Sequence, residues 1–170
     1  PSGHLMPNWV HNSTKIIGEK KAVENCVASL EGEDEDGYPN VFDFEKIEPM
    51  PEDVRNTDPD RVLGDGPKNR NNWYDWSCDN WGTKWNSCNA DVNNRFDDGD
   101  NHVIEITYDT AWTMPVPVWD KLAKKFPKLE FRHKFDEEMQ HFYGVAIYKN
   151  GKLDEKKSWQ KEYDERWTNY

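Results

Sequence analysis

The chain has 170 residues and a net charge of −11, and its 9 Trp, 7 Tyr and 7 Phe carry enough apolar area to fold one domain despite a charged fraction of 32%. The acidic balance argues against general nucleic-acid binding, because phosphate backbones recruit cationic surfaces. No apolar run approaches the roughly 20 residues of a membrane span and no secretory signal is visible, so we expect a cytoplasmic protein.

The first segment predicts a strand followed by a helix. Residues 1–5 are typical of an expression scar ahead of Met6, and we leave them out of the fold. The stretch Asn8–Ile17 indicates a strand that ends at Gly18, and apolar residues at helical spacing predict a helix over Glu19–Leu30. This segment is therefore a β-α unit.

An acidic loop and a long connection follow. Residues 31–40 hold five acids with two Gly and one Pro, which predicts an exposed loop. Val41, Phe42 and Phe44 predict a short strand, and residues 52–72 predict a long irregular connection. Loops of this length are often functional or mobile.

The second half predicts a hairpin, a helix and two more strands. Residues 84–96 and 102–108 indicate the hairpin, with its turn at Asp97-Asp98-Gly99-Asp100. Apolar residues at spacings of three and four predict a helix over 115–126, and residues 129–135 and 142–148 indicate strands. In the charged tail, Trp159, Tyr163 and Trp167 fall four apart, as in a helix.

This order of elements predicts an α+β fold, in which a ferredoxin-like antiparallel sheet has its helices packed on one face. We expect a single domain over residues 6–151 with the acidic loop 31–40 and the long loop 52–72. A charged C-terminal extension, residues 152–170, follows it.

Metal and cofactor chemistry gains no support from the sequence. Cys26, Cys78 and Cys88 lack the number and spacing of a zinc or iron–sulfur site, so we expect reduced thiols, no metal and no cofactor. His133 and His141 flank a predicted acidic turn, where a metal site is conceivable but a polar hairpin end is the ordinary interpretation.

Catalytic motifs are also incomplete. His11-x-Ser13 is half of the pattern of two-histidine phosphoesterases, whose second half protonates the leaving group, and no other histidine has that pattern. The sequence therefore names no catalytic residue.

The tryptophans support one functional hypothesis, which we treat as the alternative. Their ordinary role is in the core, but a cleft for a small ligand or a substrate is the alternative. Its candidate residues are Trp9, Asn80, Trp81, Lys84, Trp85 and Trp112.

The placement of charge supports the functional hypothesis that we favour. Residues 1–100 hold 21 acids against 10 Lys plus Arg, while residues 101–170 hold 12 of each. An acidic face of this kind suits a basic protein partner, which it steers electrostatically. Its candidate residues are Glu31, Glu33, Asp34, Glu35, Asp36, Asp97, Asp98 and Asp100.

Four motifs carry a family resemblance. They are Met6-Pro7-Asn8-Trp9 with Asn12 and Gly18, the segment 44–51 (FEKIEPMP), the segment 80–85 (NWGTKW) and the segment 110–115 (TAWTMP). In order and spacing they resemble the YubB-type ferredoxin-like family of uncharacterised phage and plasmid proteins, over roughly Met6 to Tyr148. The resemblance implies a mobile-element origin and a ferredoxin-like sheet, and it supplies no catalytic residues.

We therefore expect a non-catalytic accessory protein of a phage or other mobile element. It would bind a basic host protein of a defence or nucleic-acid-processing system through its acidic face, without direct contact to nucleic acid or membrane. The alternative is an enzyme or small-ligand binder that uses the tryptophan-lined cleft.

Overall fold

Alternating burial along the strands decides which face of the sheet becomes the core. The computed structural model describes residues 7–59, 70–139 and 141–160. In β1 (Trp9–Gly18) the even-numbered residues from Val10 to Ile16 are buried, while the odd-numbered ones are partly or fully exposed. A period of two places all the buried side chains on one face.

Within the described residues the main sheet has six strands in the order β4-β5-β1-β6-β7-β8, and every pair is antiparallel. Its strands besides β1 are β4 (Cys88–Asp98), β5 (Asn101–Ala111), β6 (Glu130–Glu137), β7 (Phe142–Lys149) and β8 (Lys152–Gln160). A separate two-stranded hairpin consists of β2 (Gly32–Glu33) and β3 (Pro39–Asn40). Four of these strands, β4-β5-β1-β6 in the sheet, have the predicted ferredoxin-like order. Along the chain, one helix connects β1 to β4 by way of the intervening segment, and another connects β5 to β6.

The helices supply the other side of the core. They are α1 (Lys20–Ser29), α2 (Glu52–Arg55), α3 (Trp73–Asn80) and α4 (Val116–Lys125). Val23 and Val27 of α1 and Trp119 and Leu122 of α4 are buried in the same hydrophobic cluster as Ile16 of β1. The α+β class and the packing of helices on one face are as the sequence predicts.

The strand predicted over Val41–Phe44 does not form. Phe42 N–H donates to the Asn40 side chain at 3.0 Å, and Phe44 N–H donates to the side chain of Asn86 at 2.9 Å. Because side chains accept these backbone hydrogen bonds, the two N–H groups do not pair with another strand. The backbone turns here and enters a short 3₁₀ helix over Phe44–Lys46.

The charged tail begins with a strand, β8, so the helix suggested by Trp159, Tyr163 and Trp167 does not include Trp159. Asn150 and Gly151 both have positive φ, of 53° and 77°, which suits a two-residue hairpin turn. The turn carries the chain back along β7 and adds an edge strand. Tyr163 and Trp167 lie outside the described residues, as do residues 60–69 of the predicted long connection.

Candidate functional site

The polar face of the sheet, opposite α1 and α4, carries a groove over its central strands. Its volume is about 380 Å³. The register pairs His11 with Asp109 on one side and with Asp136 on the other, so strand pairing brings together residues that are far apart in the sequence. Besides the buried Asn12 and Tyr108, the polar residues that line the groove are His11, Ser13, Asn89, Thr107, Asp109, Lys134 and Asp136.

His11 and Asp109 form a close side-chain pair in this groove. His11 Nδ1 lies 2.6 Å from Asp109 Oδ1, and the amide of Asn89 donates to Asp109 Oδ2 at 3.1 Å. Asn89 has a φ of 51° at a register shift of β4. A carboxylate that orients an imidazole in this way is a common element of acid–base sites.

The serine of the His11-x-Ser13 motif faces the same groove but has another partner. The Ser13 hydroxyl donates to Glu105 Oε1 at 2.5 Å. Elsewhere in the described chain, His102 pairs with Asp97 at the β4–β5 turn and His133 is buried on the opposite face. Among the described residues, His11 is therefore the one histidine that lines the groove.

Three of the residues proposed for the tryptophan cleft have structural roles. Trp81 is 4% exposed, and its indole N–H donates to the Glu48 carbonyl at 2.9 Å. The Asn80 side chain donates to the Trp76 carbonyl at 2.9 Å, within its own helix. Trp9 is half-buried, and its ring centroid lies 6.0 Å from that of Trp85.

The other three residues of the cleft prediction meet at the surface. The ammonium of Lys84 lies 4.5 Å from the ring centroid of Trp85 and 4.9 Å from that of Trp112. Trp112 is 39% exposed, so the prediction that this tryptophan lies in the core is wrong. We call Trp85, Trp112 and the space between them the indole clamp.

The predicted acidic face divides into two regions. Asp34 and Glu35 lie near the start of β4, where their charges raise the pKa of the Cys88 thiol after the larger effects of burial and Asp109. Asp97 and its neighbours lie at the other end of the same strand. Nine strand residues, from Cys88 to Phe96, precede Asp97 and extend over about 30 Å, so the two runs are not one continuous patch.

The conceivable metal site between His133 and His141 does not form. His133 is buried and its ring stacks on Trp119, while His141 is exposed and contacts Glu137 at 3.3 Å. Across residues 7–59, 70–139 and 141–160, no group of three His, Cys, Asp or Glu side chains is arranged to hold a metal ion. Within the same residues, no helix is long and apolar enough to cross a membrane.

Sequence reasoning missed Asp109, Asn89, Lys134 and Asp136 as neighbours of His11. The alternation of β5 and β6 does predict that Asp109, Lys134 and Asp136 face away from the core. Which of them oppose His11 depends on the register between strands, and the local pattern of a strand does not contain that information.

Comparison with known proteins gives one family match. Residues 80–169 match the family model described as the ferredoxin-like domain in Api92-like protein. The crystal structure of the protein api92 from Yersinia pseudotuberculosis is similar at 17% identity and a TM-score of 0.40, over 52% of this chain and 30% of that one. The matched part of this chain thus covers less than a third of that protein's length, and no curated protein matches the chain. On the match of the family model, which spans more than half of its residues, the chain belongs to the family of the Api92-like ferredoxin-like domain.

Proposed function

We propose that the chain is a non-catalytic binding protein that recognises a basic protein partner through the hairpin of residues 31–40. One observation carries the proposal. Glu31, Glu33, Asp34, Glu35 and Asp36 are all exposed, and within the described residues none of them has a cationic group within 4.0 Å. A partner that supplies the cations would relieve the repulsion among these charges.

The hairpin is ordered before any partner arrives, which favours binding. Asp34 Oδ1 accepts from the N–H groups of Asp36 and Tyr38 at 2.9 and 2.8 Å, so a side chain shapes the turn. Tyr38, at 68% exposure, is a large aromatic side chain next to the charges. An ordered loop loses less entropy on binding, and exposed Tyr residues often contribute strongly to interfaces.

The family resemblance of the motifs extends this proposal to the source of the protein. A phage or plasmid origin would make the partner a protein of the host cell, such as a component of a defence or nucleic-acid-processing system. The run Asp97, Asp98 and Asp100, at the far end of β4, would then add to the long-range field without forming the contact.

The test neutralises the hairpin without changing its shape. In the variant Glu33→Gln, Asp34→Asn, Glu35→Gln and Asp36→Asn, the Asn at 34 keeps the oxygen that accepts the two turn hydrogen bonds. The partner is first isolated from host lysate with the wild-type chain. Association rates are then measured between about 50 and 300 mM salt.

We expect the hairpin variant to associate at least about tenfold more slowly at low salt, with a weaker salt dependence. Asp97→Asn, Asp98→Asn and Asp100→Asn, a control with nearly the same loss of charge, should slow association much less. Equal effects of the two variants, or rates that do not respond to salt, contradict the proposal.

A second candidate function rests on the His11–Asp109 pair. An imidazole held by a carboxylate in a groove of about 380 Å³ is equipped to act as a general base in an enzyme. This candidate requires wild-type turnover on a panel of chromogenic phosphate and carboxylic esters that His11→Gln abolishes and Asp109→Asn reduces. Absence of turnover by the wild type across the panel contradicts it.

A further inference from the structure

The two walls of the indole clamp surround an ammonium group. Lys84 Nζ lies within 5 Å of both ring centroids, which is the geometry of a cation–π interaction with each ring. In the described part of the chain, no carboxylate lies within 4.0 Å of this ammonium. The faces of the two rings are therefore the principal partners of the Lys84 ammonium. A lysine ammonium more often contacts a carboxylate or water.

The backbone of Trp112 is held in a conformation that tryptophan rarely adopts. Its φ is +69°, in the left-handed region, where a bulky side chain carries a steric cost. Its N–H donates to the Asn8 carbonyl at 2.9 Å, and the hydroxyl of the next residue, Thr113, donates to the Gly82 carbonyl. These bonds keep the indole at the surface, although burial of a ring is normally the more favourable outcome.

The second wall is tied to the same segment of chain. The Ser77 hydroxyl oxygen lies 2.8 Å from the Lys84 carbonyl and 2.7 Å from the Trp73 carbonyl, and the Thr83 hydroxyl donates to the Trp85 carbonyl at 2.6 Å. Both backbone segments are thus held by hydrogen bonds that do not involve the ammonium. The rings have contacts of their own, since the Trp85 ring centroid lies 6.0 Å from that of Trp9 and the Trp112 ring centroid lies 6.2 Å from that of Tyr74. Rings supported in this way can keep their positions when the cation leaves, which is the property of a preorganised site.

We propose that the indole clamp is a binding site for a lysine side chain of a partner protein, and that Lys84 occupies it in the free protein. Lys84 indicates which ligand the clamp would bind, because its primary ammonium on an alkyl stem already lies within 5 Å of both ring centroids. The incoming lysine displaces Lys84, whose flexible stem swings out into solvent. The identity of the partner as a basic protein rests on the proposed function, whereas the affinity of the clamp for an ammonium does not.

The experiment vacates the clamp and measures the binding of small probes. Lys84→Met removes the ammonium and keeps an unbranched stem, and Lys84→Arg retains a cation as the control. The probes are Nα-acetyl-lysine amide and its neutral counterpart Nα-acetyl-norleucine amide. Binding is followed by NMR on the indole N–H signals, with circular dichroism to verify folding. If Lys84→Met does not fold, Lys84→Gln takes its place.

An internal competitor that fills the site about nine-tenths of the time weakens apparent affinity about tenfold. We therefore expect Lys84→Met to bind the lysine probe about tenfold more tightly than the wild type or Lys84→Arg, with shifts centred on Trp85 and Trp112. The norleucine probe should bind no better to the variant. The proposal is overturned if the variant gains no affinity for the lysine probe, if both probes bind alike, or if the shifts fall on other tryptophans. Because no partner is used, failure here is separate from failure of the hairpin experiment.

Discussion

The imidazole of His133 lies parallel to the indole of Trp119, with ring centroids 4.1 Å apart and an angle of 6° between the planes. A chain of hydrogen bonds joins the same two residues. The Trp119 indole N–H donates to the Tyr108 hydroxyl at 2.8 Å, the Tyr108 and Thr14 hydroxyls are 2.9 Å apart, and Thr14 Oγ1 is 2.8 Å from His133 Nδ1. A polar network therefore runs through the core between β1, β5, β6 and α4.

Burial lowers the pKa of His133 to about 3, which makes stability depend on pH. An unfolded histidine titrates near 6.5, so below that pH the unfolded chain takes up a proton that the folded chain refuses. We expect this residue to cost about 1.4 kcal/mol of unfolding free energy per pH unit between roughly pH 6.5 and 3. Urea denaturation at pH 7, 6 and 5 measures the slope for the wild type and for His133→Phe.

Between pH 7 and pH 5, the His133→Phe variant should lose about 2 kcal/mol less unfolding free energy than the wild type, whatever its absolute stability. Parallel slopes for the two proteins would mean that His133 is protonated in the folded state.

Removal of the Tyr108 hydroxyl should destabilise the core network. In Tyr108→Phe the indole N–H of Trp119 loses its acceptor and Thr14 loses a partner, at a cost of about 1–3 kcal/mol for a buried unsatisfied group. Equilibrium urea denaturation measures the loss. Tyr38→Phe, at an exposed position, serves as the control and should change stability by less than about 0.5 kcal/mol. Equal effects at the two positions would show that the network contributes nothing.

The close approach of β8 to β7 should make Gly144→Ala a selective disruption of the edge strand. A Cβ at this position would meet the Lys157 carbonyl oxygen directly, the Phe135 ring at 2.7 Å and the Ser158 backbone at 2.9 Å. The paired backbone of β8 must move away to make room. Hydrogen exchange should then be faster for β8 amides than in the wild type, while β1 and β5 stay protected.

Ser158→Ala, an exposed substitution on β8, is the control for this experiment and should leave the exchange pattern unchanged. Unaltered protection of β8 in Gly144→Ala would contradict the packing described.

The three thiols should differ in reactivity. Cys26 is fully buried, and burial raises the pKa of its thiol to about 12, so very little thiolate forms at pH 8. Cys78 and Cys88 are only half-buried, although burial raises the pKa of each thiol. Alkylation of the native protein, followed by mass spectrometry of peptides, should label Cys26 last. In urea all three should react at similar rates, and early native labelling of Cys26 would contradict its burial.

Local patterns in the sequence determined most of the fold. Alternation of apolar and polar residues identified β1, β5, β6 and β7, helical spacing identified α1 and α4, and the order of these elements was sufficient for the ferredoxin-like class. These signals depend only on neighbouring residues, because strand and helix periods are properties of a continuous segment.

Tertiary structure alone decided the positions of the functional candidates. His11 meets Asp109 across 98 positions of sequence, because the register of β1 and β5 aligns them. The sequence around Trp81 and around Trp112 predicts a core position equally well for both. Trp81 is buried against Phe44, whereas Trp112 is held at the surface beside Lys84. Burial of a large ring depends on which distant elements cover it, and a local pattern holds no information about a partner so far along the chain.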